Sequence, residues 1–130
     1  MEKWISPNNQ YQAQWRGGGE LGMSGPEWGW LTIENSLEVK GAFAEIIWSE
    51  NSEFLAFVKW HIQDVPTRQG VEGYSFRIGV VRMSDLSLRY CGGNGYPPTL
   101  SLHSMTNRAV TVIVEGQQKI INLEKIEWDR

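Results

Sequence analysis

A polar turn runs directly into an apolar strand in the stretch Trp48-Ser49-Glu50-Asn51-Ser52-Glu53-Phe54-Leu55-Ala56-Phe57-Val58-Lys59-Trp60. The segment from Phe54 to Val58 is apolar at consecutive positions. Such a run is typical of a strand that is covered on both faces, whereas a half-exposed strand alternates apolar and polar residues. We therefore expect this strand to lie in the middle of the fold.

The same arrangement recurs before and after this stretch. Residues 6–13 align with residues 49–56 at an offset of 43, with serine, asparagine, an aromatic residue and alanine kept in register. Residues 104–112 align with residues 49–57 at an offset of 55, with the turn character preserved but few identities. The sequence therefore predicts one domain of three approximate repeats, which are residues 5–43, 44–98 and 99–130.

The second repeat resembles a blade of TolB-like and WD-repeat-like β-propellers. In those blades a tryptophan precedes a Ser-Pro-Asp-Gly-type turn and a Leu-Ala-Phe strand, as Trp48 does here, and the next strand ends in an Asp-containing turn, as at Asp85. Blade periods of about 40–45 residues fit the offset of 43. The resemblance implies antiparallel meanders and no particular activity.

Three repeats are too few to close an ordinary propeller, which has about four to eight blades. We therefore expect an all-β fold in which three antiparallel blade-like meanders pack as a compact sandwich or partial propeller within one chain, with the pairing of two chains to complete a ring as the alternative. No window shows a convincing helical stripe, so little or no helix is expected.

Two connections are predicted to be long. Residues 16–27 are rich in glycine, and residues 62–73 occupy the equivalent place in the second repeat. We expect both to leave from the same edge of the molecule. Further along, residues 92–98 are predicted to break the chain, and Gln117-Gln118 to form a tight hairpin.

Composition limits the classes of function. The chain has 130 residues, 12 basic and 15 acidic, with a formal charge of −3, which is unlike the basic surface of a typical nucleic-acid binder. Cys91 is the single cysteine, so no disulfide forms within the chain. The N-terminal residues show neither a signal peptide nor a membrane span, so a cytoplasmic location is expected.

No group of residues predicts catalysis. His61 and Asp64 have H-x-x-D spacing but no second histidine or cysteine beside them, so we expect neither a metal nor a cofactor. His103 has no nucleophile or orienting carboxylate nearby in sequence. Residues 92–95 are glycine-rich but lack the lysine and helix of a phosphate-binding loop. The sequence favours a binding protein over an enzyme.

Trp28 and Trp30 leave two interpretations open. They share one face of a strand beside the first connection, so they could form a stacking platform for a sugar or an anchor for a protein. Alternatively, they could fill the core, as tryptophans of repeats often do.

We predict that recognition uses the connections and the residues at their bases, because extended loops on a rigid scaffold usually serve binding. The predicted partner-binding residues are Arg16, Glu20, Trp28, Asp64, Arg68, Glu72 and Tyr74. Together they form a mixed charged and aromatic surface that suits a protein partner.

A small, acidic, cysteine-poor β protein is similar in type to the bacterial immunity proteins that neutralise a cognate toxin, including those of contact-dependent inhibition systems. The similarity implies a monomer or weak homodimer that blocks the active site of a toxin, such as a nuclease, with acidic side chains meeting its basic cleft. The alternatives are a carbohydrate or small-ligand module that uses the tryptophans, and an accessory subunit of a larger assembly.

Overall fold

The computed structural model of the chain describes residues 2–20, 27–62, 74–95, 100–114 and 116–125, with only the backbone described at 20, 60–62, 74–76, 91–95, 100 and 125. The strands are β1 (Glu2–Ile5), β2 (Gln12–Glu20), β3 (Glu27–Ile33), β4 (Leu37–Trp48), β5 (Phe54–Ile62), β6 (Tyr74–Arg82), β7 (Ser87–Gly95), β8 (Leu100–Met105), β9 (Ala109–Val114) and β10 (Gln117–Asn122). A single turn of 3-10 helix follows at Leu123–Lys125. The predicted all-β class with little or no helix is confirmed for these residues.

The strands form two antiparallel sheets. β1 to β7 lie in chain order in a seven-stranded sheet, and β8, β9 and β10 form a three-stranded sheet. Every pairing is antiparallel, as the meander prediction requires. The described residues nevertheless form neither a closed propeller nor three separate blade-like sheets, because β4 joins the first two predicted repeats in one sheet.

β4 belongs to both halves of the large sheet. Its first part pairs with β3, and its second part pairs with β5 after an irregularity between Ala42 and Ile46. The carbonyl of Ala42 accepts a hydrogen bond from the buried indole N–H of Trp15, 3.0 Å away. The irregularity lets one strand serve two pairings.

The first predicted connection is wrong in its bounds. β2 continues through Gly17, Gly18 and Gly19 to Glu20, and β3 begins at Glu27, so only residues 21–26 separate the two strands. The glycines do not mark a loop. They lie in a strand whose backbone is covered by side chains from β3, and at Gly18 two indole rings leave no room for a Cβ atom.

β5 lies between two hydrophobic clusters, as its consecutive apolar residues predicted. Leu55 and Phe57 belong to one cluster, with residues of β2, β3 and β4. Ala56 and Val58 belong to the other. All four are at most 2% exposed, so the central placement of this strand is confirmed.

The second cluster joins the two sheets. Phe43 of β4 and Ile78 of β6 pack there with the alternating valines of β9, which are Val110, Val112 and Val114. These valines share one face of their strand. Burial of this apolar surface between the sheets holds the three-stranded sheet against the larger one.

Two turns that the offset of 43 aligned have the same hydrogen bonds. The Oγ of Ser6 accepts from the amide of Tyr11 at 3.0 Å and donates to the side chain of Asn8 at 2.7 Å. The Oγ of Ser49 accepts from Phe54 at 3.0 Å and donates to Asn51 at 2.9 Å. Asn9 and Ser52 occupy matching left-handed positions, with φ of 61° and 64°. The repeated sequence therefore encodes a repeated turn.

These turns lie together with the turn between β8 and β9. The amide of Asn8 donates to Ser52 Oγ at 3.0 Å, and the amide of Asn51 donates to Asn107 Oδ1 at 2.8 Å. Ser52 and Asn107 are the residues that the offset of 55 matches. Each turn thus contacts the next through the same amide position and the same side-chain position.

Three smaller expectations are corrected. The predicted boundary between the first two repeats, at residues 43 and 44, falls inside the single strand β4. The chain break predicted at 92–98 is wrong for residues 92–95, because β7 continues to Gly95, and residues 96–98 lie outside the described residues. Gln117 and Gln118 do not form a hairpin turn but begin β10, since Gln117 pairs with Val114.

Candidate functional site

Polar and aromatic side chains cover the outward face of β2, β3 and β4. Alternation along a strand puts every second residue on this side, opposite the core residues Trp15 and Leu31. The members of this surface, which we call the tryptophan face, are Gln14, Arg16, Gly18, Trp28, Trp30, Thr32, Glu38 and Lys40. The register places Arg16 opposite Trp30, and Trp30 opposite Lys40, so a cation lies on either side of an indole.

Both cations lie over indole rings. The guanidinium carbon of Arg16 is 4.9 Å from the ring centroid of Trp30, and the ammonium nitrogen of Lys40 is 5.9 Å from that of Trp28. The rings of Trp28 and Trp30 meet edge to face, with centroids 5.3 Å apart and an interplanar angle of 61°. Cation, ring, ring and cation therefore form one continuous row.

Gly18 makes room for this row. A Cβ atom at this position would lie 2.6 Å from Cζ3 of Trp30 and 2.7 Å from Cζ3 of Trp28, closer than real Cβ atoms approach other atoms. Both rings therefore rest against the bare backbone of β2. A glycine in a strand interior is typical of such a close approach.

The two tryptophans have different surroundings. Trp28 is half-buried and packs against the hydrophobic cluster between the sheets. Trp30, also half-buried, belongs to neither cluster and contacts Arg16 instead. Trp28 thus borders the core, as one interpretation expected, whereas Trp30 is only partly covered, and a binding role for either ring stays a prediction.

A small cleft opens beside this row. Its volume is about 120 Å³, and it is lined by Gln14, Trp15, Arg16, Trp30, Thr32 and Glu38. The cleft is far smaller than the roughly 300–1,000 Å³ of sites for drug-sized ligands. Its walls combine an indole ring, a cation, a carboxylate, an amide and a hydroxyl, so it can hold a single polar side chain.

The structure brings together two of the seven predicted partner-binding residues. Arg16 is exposed on the tryptophan face, and Trp28 lies on the same face. Glu20 ends β2 and Tyr74 begins β6, where only the backbone is described. Asp64, Arg68 and Glu72 lie outside the described residues, as does most of the predicted connection 62–73.

Lys40, Gln14, Thr32 and Glu38 were not predicted as site residues. The sequence feature that could have identified them is the turn at Glu34-Asn35-Ser36, because this turn sets the register of β4 against β3. With that register, Lys40 lies beside Trp30 and Glu38 beside Thr32. The cross-strand neighbours that follow from this turn were not predicted.

A second group of charged residues lies on β5, β6 and β7. The ammonium nitrogen of Lys59 is 5.8 Å from the ring centroid of Tyr90, and Lys59 pairs in register with Arg77. Burial lowers the pKa of Lys59, and the nearby positive charge of Arg77 lowers it further. Burial raises the pKa of Tyr90.

Glu45 connects the two sheets. Its carboxylate accepts a hydrogen bond from the backbone amide of Leu102 on β8. Burial raises the pKa of Glu45, and the hydrogen bond from Leu102 partly opposes this effect. The carboxylate thus contributes to sheet packing, and no nucleophile or second carboxylate is recorded in contact with it among the described residues.

Other candidate sites receive no support from the described part of the chain. Within it, no three His, Cys, Asp or Glu residues are grouped so that they could hold a metal ion. The exposed side chain of His103 lies next to the irregularity between Leu102 and Ser104. None of the described helical residues forms a segment long and apolar enough to cross a membrane.

Comparison with protein families, curated proteins and solved structures finds no match to this chain.

Proposed function

We propose that this chain is a non-enzymatic protein-binding protein whose recognition surface is the tryptophan face together with the adjoining connections. The observation that supports this is the row of Arg16, Trp30, Trp28 and Lys40 across three strands of a sheet. Tryptophan and arginine dominate the binding energy of protein interfaces. Strands hold them in place more rigidly than loops would, which reduces the ordering cost of association.

The geometry of the rings favours a protein over a sugar. A sugar stacks on an open indole face, but the guanidinium of Arg16 already lies over Trp30. Trp28 stands at 61° to Trp30, so the two rings do not form one flat platform. A protein side chain needs no such platform and can contact ring edges and the two cations together.

The kind of partner that best fits the chain's size, acidity and lack of a predicted catalytic group is a bacterial toxin. In this proposal the chain is an immunity protein that acts in the cytoplasm as a monomer and blocks the active site of its cognate toxin, such as a nuclease. The charge of −3 would favour a partner with a basic cleft. Acidic residues of the connections, such as Glu20, Asp64 and Glu72, would meet that cleft.

The finer architecture is part of the same proposal. We regard the chain as three β-meanders derived from one repeat and packed as a compact sandwich. The matching turns at Ser6 and Ser49 support this, as does the contact of each turn with the next. The amide of Met83 donates to the carbonyl of Glu53, and that of Leu123 to Arg108, a residue matched to Glu53 by the offset of 55.

The test requires the protein encoded next to this chain's gene. Co-expression should restore growth to cells that carry this neighbour, and calorimetry should show tight binding. Trp30→Ala should weaken that binding at least tenfold, because truncating an interface tryptophan typically costs about 2 kcal/mol or more. The matched control is Ile120→Ala on β10, which removes an apolar side chain that is 74% exposed.

Equal effects of the two substitutions would contradict the choice of surface. A neighbour that neither binds the chain nor is neutralised by it would contradict the immunity function. Quenching of tryptophan fluorescence by neutral oligosaccharides, with loss of the effect in Trp30→Ala, would favour the carbohydrate module instead.

A further inference from the structure

Two cations on the tryptophan face form no ion pair with any acidic residue of the described part of the chain. Arg16 and Lys40 are exposed on β2 and β4, on either side of Trp30. Neither forms an ion pair or a side-chain hydrogen bond with another residue of the described chain, whereas Arg82 pairs with Asp85 and Arg108 with Glu124. Unlike the exposed cation Lys119, these two cations lie over neighbouring indole rings, so they concentrate positive charge at one place on an acidic chain, which suits a ligand of opposite charge.

The position of Arg16 prepares it for a carboxylate. Its guanidinium lies over the Trp30 ring, which restricts the side chain to one region. A guanidinium above an aromatic ring keeps N–H donors at its edge, and their fork matches the two oxygens of a carboxylate. Much of the ordering cost of the long side chain is therefore already met in the free protein.

The cleft limits the size and charge of the group. Its volume of about 120 Å³ suits one side chain, and Gln14 and Thr32 add hydrogen-bonding groups to its walls. Glu38 forms part of the same wall and repels every anion, but it repels a phosphate dianion more strongly than a single carboxylate, so the cleft favours a ligand with one negative charge. A peptide segment fits both the cationic and the acidic wall of the cleft. Its side-chain carboxylate can face Arg16 while one of its backbone amides donates a hydrogen bond to Glu38.

We propose that the tryptophan face binds an acidic side chain of the protein partner, with its carboxylate held by Arg16 and attracted by Lys40. This inference rests on the proposed function and specifies the chemistry of the partner at this contact. It also changes the charge pattern expected of the partner. The partner's surface is basic where it meets the acidic connections, and it carries at least one exposed carboxylate where it meets β2 and β4.

The first test uses peptides, because it does not depend on the partner's identity. The probe is the capped tetrapeptide Gly-Leu-Glu-Gly, compared with Gly-Leu-Gln-Gly and Gly-Leu-Lys-Gly. Titration followed by NMR should shift the indole N–H signals of Trp28 and Trp30 with the glutamate peptide. The glutamine peptide should bind roughly tenfold more weakly, as expected for loss of one charge-assisted bidentate contact.

Variants locate the effect. Arg16→Gln should abolish the difference between the glutamate and glutamine peptides, and Lys40→Gln should reduce it. Lys119→Gln, which removes an exposed cation from β10, should leave it unchanged. Equal binding of all three peptides, stronger binding of the lysine peptide, or equal losses in Lys119→Gln and Arg16→Gln would overturn the inference.

The partner separates this inference from the function on which it rests. Loss of partner affinity in Trp30→Ala but not in Arg16→Gln would overturn the carboxylate contact alone. Unchanged affinity in both variants would overturn the recognition surface as well. Loss in both, with Ile120→Ala unaffected, would support the two proposals together.

Discussion

Gly18→Ala should disrupt the tryptophan face while leaving the rest of the fold in place. The added methyl group would lie 2.6 Å from Trp30 and 2.7 Å from Trp28, measured to the Cζ3 atom of each ring. Carbon atoms prefer separations of about 3.5–4.0 Å, so each ring must retreat by about 1 Å. The rings are half-buried and can pivot toward solvent, which makes displacement cheaper than rearrangement of the sheet.

The expected cost follows from the contacts that the displaced rings lose. The edge-to-face pair of Trp28 and Trp30 is worth about 0.5–1.5 kcal/mol and the cation–π contact of Arg16 about 0.5–1 kcal/mol, so their loss costs about 1–2.5 kcal/mol. Replacing glycine by alanine also restricts the unfolded chain, which stabilises the fold by about 0.4–1 kcal/mol where the backbone permits it. Gly18 has no positive φ, so this gain applies.

The neighbouring glycines provide matched controls. A Cβ atom on Gly19 would be 3.3 Å from Nε1 of Trp28, a tight contact that a small shift relieves. A Cβ atom on Gly17 would meet mainly the exposed carboxylate of Glu27, which can move aside. Gly19→Ala and Gly17→Ala should therefore be neutral or slightly stabilising, and Gly18→Ala should unfold about 4–10 °C below Gly19→Ala, at about 4 °C per kcal/mol.

Thermal unfolding measures the loss of stability in Gly18→Ala, and NMR of the indole N–H groups measures the displacement of the rings. In Gly18→Ala the indole signals of Trp28 and Trp30 should move, while that of Trp15, whose N–H is bonded to Ala42, should stay. Partner affinity should fall with the displaced rings. If Gly18→Ala were as stable as Gly19→Ala with unmoved indole signals, the proposed seating of the rings on β2 would be refuted.

Three further substitutions test the core, the turns and the contact between the sheets. Gly79→Ala should cost about 1–3 kcal/mol of unfolding free energy by overpacking, because its Cβ atom would lie 2.7 Å from both Cε atoms of buried Phe57. In a double-mutant cycle, Phe57→Leu should relieve much of this cost. Additive costs of the two substitutions would argue against overpacking. Ser49→Ala and Ser6→Ala should each lower the free energy of unfolding, measured in urea, by about 1–3 kcal/mol. Both serines are buried and each accepts an amide hydrogen bond. A large difference between the two losses would contradict the equivalence of the two turns. Glu45→Gln keeps an acceptor for Leu102 but removes the buried charge. Because the raised pKa of Glu45 means that the folded chain holds the proton more tightly, ionisation destabilises the native fold as the pH rises above 4.5. The variant should therefore gain stability relative to the native chain as the pH rises through that raised pKa, and a pH-independent difference in melting temperature would contradict this.

Local sequence was sufficient for features that depend on neighbouring residues. The consecutive apolar residues of β5 predicted a strand covered on both faces, and the structure places Leu55 and Ala56 in different clusters. The Ser-x-Asn pattern predicted turns at Ser6 and Ser49, where the side chains complete the backbone hydrogen bonds. These features need only the strand period and the short reach of a serine or asparagine side chain.

Features that depend on a neighbouring strand were not predictable in the same way. Gly17, Gly18 and Gly19 were expected in a loop, because glycine weakens an isolated strand. They lie in β2 because indoles from β3 occupy the space above Gly18, a contact that the local composition does not reveal. Lys40 was missed for a related reason, since its place beside Trp30 follows from the register of β4.

The contacts between the turns also bear on where recognition can take place. The Ser6, Ser49 and Asn107 turns are linked by hydrogen bonds and directly precede β2, β5 and β9. Each of these strands runs away from its turn, so residues 21–26, 63–73 and 115–116 follow the strand ends that are remote from the turns. One end of each strand is thus fixed by side-chain hydrogen bonds, and insertions at the other end do not disturb them. If the chain has the proposed binding function, its partner can change through insertions at that end, beside the tryptophan face that the strands hold in place.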